Sequence, residues 1–136
     1  MKKWDHQKLL AAAAKAARQS HSPYSHFPVG AAILSGTGKV FTGCNVENAS
    51  YGLTICAERV AVLKAVSEGT KKFKAMAVVG GRGWAVSPCG ACLQVLAEFC
   101  EPDFPIVLAP LDKPDKIKTL SLGTLLPQAF KLNTKL

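Results

Sequence analysis

Residues Phe73–Ala109, FKAMAVVGGRGWAVSPCGACLQVLAEFCEPDFPIVLA, decide the fold. Phe73 to Val79 is a strand whose Ala-Met-Ala-Val-Val run is apolar enough to be buried on both faces. Gly80 to Ser87 is a loop, and Pro88 suits the entrance of a helix from Cys89 to about Cys100. Pro105 to Ala109 is a second buried strand. A strand, a helix and another strand make a parallel crossover, which places the chain in the α/β class.

Working outward, Thr54 can cap a helix over about Ile55 to Glu68, closed by Gly69. Val29 to Leu34 and Lys39 to Val46 read as strands joined through Ser35-Gly36-Thr37-Gly38, a hairpin signal. Ser20 to Pro28 is a loop broken by Pro23 and Pro28. Asp5 can cap a helix running to about Gln19, whose alanines (Ala11 to Ala14, Ala16, Ala17) permit close approach. Leu120 to Leu132 reads as irregular with a short helix. There is no repeat and no linker, so residues 1–136 are expected to form a single domain.

The 136 residues are 49% hydrophobic and 19% charged, a globular composition rather than a disordered one. The apolar segments are short, so no membrane partner is expected. No apolar h-region follows the basic start, and the expected location is cytoplasmic. Five cysteines, an odd number that includes a C-x-x-C pair, favour metal or redox use in a reducing compartment. The formal charge of +8 raises the question of nucleic acid. Its lysines are scattered, however: Lys2, Lys3, Lys8 and Lys15, then Lys71, Lys72 and Lys74, then Lys113, Lys116 and Lys118. No basic run alternates with aromatics as a stacking platform does, so a solvated surface is expected and no nucleic-acid partner.

The chemistry lies in Cys56-Ala57-Glu58 and Pro88-Cys89-Gly90-Ala91-Cys92. Three thiolates, Cys56, Cys89 and Cys92, suffice for a zinc ion that keeps one position open, the pattern of catalytic sites. Cys89 and Cys92 are one helical turn apart, and both motifs fall at helix N-termini, where thiols ionise readily. A C-x-x-C alone is as common in redox pairs and structural zinc sites. A redox role leaves Cys56 and Glu58 unexplained, and no His has ligand spacing to a cysteine. Cys44 and Cys100 read as small buried hydrophobes. Glu58, which does not bind the metal, is placed to move the protons of an activated water. Zinc with three thiolates is anionic, and Arg59, three residues after Cys56, is placed to offset that charge.

Four stretches together resemble the small zinc-dependent cytidine deaminases: Tyr24-Ser25-His26-Phe27-Pro28-Val29-Gly30-Ala31-Ala32, Gly43-Cys44-Asn45-Val46-Glu47-Asn48-Ala49-Ser50-Tyr51-Gly52, Cys56-Ala57-Glu58-Arg59 and Ser87-Pro88-Cys89-Gly90-Ala91-Cys92. The resemblance implies a three-layer α/β/α fold with a mixed sheet of about five strands. It also implies one zinc per subunit and a homotetramer with composite active sites. The implied reaction is hydrolytic deamination of cytidine and 2'-deoxycytidine to uridine and deoxyuridine plus ammonia, a step of pyrimidine salvage, with Glu58 as the catalytic proton carrier.

By the same resemblance, Asn45 and Glu47 hydrogen-bond the ribose hydroxyls, Phe27 packs against the pyrimidine, and the Ala57 N–H meets the base carbonyl. Tyr51 stands at the subunit junction near the sugar, and Phe130 closes a neighbouring subunit's site. Taken alone, Asn45 and Glu47 are an ordinary polar pair and Phe27 a core aromatic. Where the family usually has Cys-Arg-Gln, this chain has Cys92-Leu93-Gln94, which leaves one fewer cation near the metal. Other readings are a deaminase of a modified cytosine nucleoside (blasticidin-S-like), a polynucleotide deaminase, and a zinc or nucleic-acid binding module without activity.

Overall fold

In the computed structural model, which describes residues 4–132, a five-stranded sheet lies between two helical layers. Lys2 and Lys3 lie outside the described residues. The strands are β1 Val29–Ser35, β2 Val40–Cys44, β3 Phe73–Gly80, β4 Pro105–Ala109 and β5 Lys118–Ser121, in the spatial order β2-β1-β3-β4-β5. The hairpin pairs Ala32 with Thr42 antiparallel, and β1 runs antiparallel to β3. Strands β3 and β4 are parallel, Met76 opposite Ile106, and helix α3 (Gly90–Phe99) forms their crossover. The mixed α/β sheet of five strands is as expected.

Side-chain alternation along β3 explains the two layers. Ala75, Ala77 and Val79 face helix α1 (His6–Ala17), where Leu9, Leu10 and Ala13 complete one apolar cluster. Met76 and Val78 point the other way, to helix α2 (Ala57–Ser67) and α3, and pack with Ala61, Val62, Leu93 and Leu96. A strand covered on both faces has no need of polar residues at alternate positions.

Two glycines set how closely the helices approach. A Cβ on Gly30 would collide with the Ala13 carbonyl, and one on Gly43 would lie 2.6 Å from both the Ala57 oxygen and the Ala61 nitrogen. Backbone therefore packs on backbone at both crossings, and α2 is seated directly on β2.

Asp5 caps α1 as expected, accepting from the Gln7 N–H at 2.9 Å and the Lys8 N–H at 3.1 Å. Three boundaries differ from the sequence reading. The N-cap of α2 is Cys56, not Thr54, because Ile55 is held in a two-way backbone bridge with Val46 (2.9 and 3.0 Å). Thr54 instead accepts from the Asn48 N–H at 3.2 Å. Strand β2 stops at Cys44, since Val46 turns away to bridge His21 and Ile55. The tail, expected from Leu120 to be irregular with a short helix, does carry that helix, α4 (Leu122–Leu125), but an unexpected edge strand, β5, precedes it. Among the described residues no helix is long and apolar enough to cross a membrane.

Candidate metal centre and substrate cavity

Cys56 is the N-cap of α2, Cys89 the N-cap of α3, and Cys92 sits in the first turn of α3. Their sulfurs all lie within 4.8 Å of one another, with Cys56 to Cys89 at 3.9 Å and Cys89 to Cys92 at 3.6 Å. Tetrahedral coordination at a Zn–S distance of about 2.3 Å puts ligand sulfurs about 3.8 Å apart, so the three thiols fit zinc. Among the described residues this is the single His, Cys, Asp or Glu group with the spacing to hold a metal ion. Cys100 is buried at the far end of α3, its thiol pushed up to about 12 by burial. Cys44 is half-buried and lies outside the group.

The charges around the thiols are ordered. Cys56 is lowered to about 5, first by a hydrogen bond shared with Cys92 and then, against burial, by one from Arg59. Cys92 is pushed up by the same shared contact and by burial. Arg59 Nη2 donates to Cys56 Sγ at 3.4 Å. Leu93 is 5% exposed and belongs to the core, so an apolar side chain suits that position.

Glu58 lies in the first turn of α2 and is 6% exposed. Burial raises its carboxyl to about 7, with a smaller contribution from the Cys56 thiolate. A carboxyl poised near neutrality can both take and give a proton, which suits a general acid and base.

Glu58 and Cys89 open onto a cavity of about 350 Å³ that Phe27, Asn45, Glu47 and Ser87 also line. Ala57 is fully buried at its wall. Asn45 is buried and already occupied: Oδ1 accepts from the Val29 N–H at 3.0 Å and from Ser20, and Nδ2 donates to the Phe27 carbonyl at 2.8 Å. A second cavity of about 320 Å³, lined by Tyr24 and Tyr51, meets the first at Ser25, Glu47 and Thr54. Tyr51 is 75% exposed and packs edge-on against Tyr24 at 5.9 Å between ring centroids.

The fold thus gathers Cys56, Cys89, Cys92, Glu58, Arg59, Ala57, Phe27, Asn45 and Glu47, with Tyr51 alongside. Phe130 does not line its own chain's cavity; it is exposed, and its carbonyl accepts from Gln94 Nε2 at 3.0 Å. Ser20 and Val86 are not singled out in the sequence, and Ser25 and Ser87 appear there only within longer stretches; Ser20 and Ser25 bond side chains of distant segments, and Val86 and Ser87 line the cavity.

The model of the family described as the cytidine and deoxycytidylate deaminase zinc-binding region matches residues 3–108. The chain belongs to this deaminase family. A cytidine deaminase of Sporosarcina psychrophila is 52% identical over 93% of this chain and 91% of its own length. The crystal structure of cytidine deaminase from Burkholderia pseudomallei superposes with a TM-score of 0.88 at 46% identity, covering 93% of this chain and 100% of that one. A blasticidin-S deaminase of Bacillus cereus is more distant, 27% identical over 77% of this chain and 78% of its own. For this deaminase the cofactor is zinc, and the three thiols are the side chains that fit it.

Proposed function

We propose that the protein hydrolyses cytidine and 2'-deoxycytidine to uridine and deoxyuridine, releasing ammonia, as one domain spanning residues 1–136. The observation that carries this reading is Glu58, buried yet lining one cavity together with Cys56, Cys89, Asn45 and Glu47. Held by Cys56, Cys89 and Cys92, zinc supplies an activated water.

The chain's own residues do the rest. Glu58 takes the protons of the attacking water in turn, giving the first to N3 of the ring and the second to the departing amine. The Ala57 N–H, which at the start of α2 has no partner within the helix, donates to the base carbonyl. Phe27 packs on the ring, and Glu47 accepts from a sugar hydroxyl beside Asn45. Arg59 offsets the negative charge of the thiolates.

Phe130, exposed and tethered by Gln94, closes the site of a neighbouring subunit in a homotetramer, and Tyr51 stands at that junction. Light scattering tests the assembly; a monomeric active enzyme would remove it. The reading places the enzyme in the cytoplasm, in pyrimidine salvage, with no nucleic-acid partner. Its direct test follows the absorbance loss as cytidine becomes uridine, with and without a chelator. Chelator-sensitive turnover is expected. Turnover of blasticidin S but not of cytidine, or of neither, would replace this reading.

A further inference from the structure

Residues 20–27 are fastened to the segment that follows β2, at Asn45 and Glu47, which line the cavity. The His21 N–H donates to the Asn45 carbonyl at 3.0 Å, and the Glu47 N–H donates to the His21 carbonyl at 2.8 Å. The segment then folds over the Glu47 carboxylate, whose Oε1 accepts from the N–H groups of Tyr24 at 3.0 Å and Ser25 at 3.1 Å. Ser25 Oγ donates to the other oxygen, Oε2, and accepts from the Phe27 N–H at 3.1 Å. Between Ser25 and Phe27, His26 adopts φ 55°, a left-handed conformation that a residue with a Cβ takes only when its surroundings impose it.

A hydroxyl has one proton and two lone pairs. An ionised carboxylate only accepts, so the Ser25 proton is committed to Glu47 and a lone pair is left for Phe27. Ser25 is also the largest of the influences that hold the Glu47 carboxyl below the usual carboxylate range. Oε1 has both lone pairs engaged by backbone N–H groups, whereas Oε2 keeps one lone pair. Glu47 borders both cavities, and the Ser25 hydroxyl is, among the described residues, the one side chain that bonds the oxygen carrying that lone pair.

We propose that Ser25 is a positioning residue for the substrate, its hydroxyl locking the Glu47 carboxylate and the Phe27 backbone together so that sugar and base are held as one unit. This rests on the reading that Glu47 accepts from a sugar hydroxyl. Ser25 is exposed, which leaves room for the methyl group of a threonine. Steady-state kinetics of the zinc-loaded wild type, Ser25→Ala and Ser25→Thr, each with cytidine and with 2',3'-dideoxycytidine, test it. Loss of one charge-assisted hydrogen bond predicts that Ser25→Ala raises KM for cytidine about tenfold while kcat stays within about twofold. KM for dideoxycytidine, which keeps its 5'-hydroxyl but lacks the 2'- and 3'-hydroxyls read here as the partners of Glu47, should change by less than about twofold, and Ser25→Thr should behave as wild type. Equal losses on both nucleosides, or none on either, overturn the proposal. A wild type that treats the two nucleosides alike overturns the Glu47 reading itself, and Ser25 with it.

Discussion

In the proposed reading Arg59 and Glu58, adjacent in sequence, act on opposite sides of the same charge problem. Arg59 reaches Cys56 through one N–H at 3.4 Å, while its Nε is buried with no partner among the described residues. A buried donor left unpaired is costly, and in the proposed reading the bond at the other end of the guanidinium offsets that cost. Arg59→Gln should weaken zinc retention about tenfold, the lower end of what is lost with groups that orient metal ligands. A competition titration with a chromogenic chelator reads this, and unchanged affinity with unchanged kcat would remove the role. The thiol group was legible because Cys89-Gly90-Ala91-Cys92 spaces two cysteines one helical turn apart and Cys56-Ala57-Glu58 adds a third beside a carboxylate, and the fold brings the three sulfurs together. Ser20 and Ser25 were not. Each acts on a side chain more than twenty positions away, and no local pattern records such a contact.

At the scale of elements, helix α2 carries Cys56, Glu58 and Arg59, and its seat is Gly43 on β2. The two nearest atoms that a Cβ there would meet are backbone atoms of α2 and the third is the Val60 Cβ, fixed to that backbone, so the helix must move rather than a side chain turn. Gly43→Ala should therefore cost about 1–3 kcal/mol in urea denaturation, as overpacking does, and lower kcat as well. Wild-type stability together with wild-type kcat would show that the seat is not tight. The elements that were read well, α1, the hairpin and the β3-α3-β4 crossover, have strong caps or long apolar runs. Strand β5 was missed because Lys118-Thr119-Leu120-Ser121 is a short edge strand with two exposed residues and no apolar alternation. The start of α2 was misplaced because a bridge between Ile55 and Val46 keeps the chain extended for two residues past Thr54.

For the molecule as a whole, the metal centre joins two helices that the sheet supports separately, α2 over β2 and the α3 crossover between β3 and β4. A ligand that binds only the folded arrangement stabilises it by mass action. Removing zinc with a chelator should lower Tm by about 10 °C, the shift expected for losing roughly 3 kcal/mol in a domain of this size. Differential scanning calorimetry checks this, and an unchanged Tm would mean that the two helix starts are held by the core alone. The most direct test of the account is kcat on cytidine for Glu58→Gln, measured with zinc content quantified in the same sample. With the fold and the metal retained, kcat should fall at least about a hundredfold, because an amide cannot relay the protons. A fully zinc-loaded Glu58→Gln variant that turns over cytidine at the wild-type rate would contradict the account.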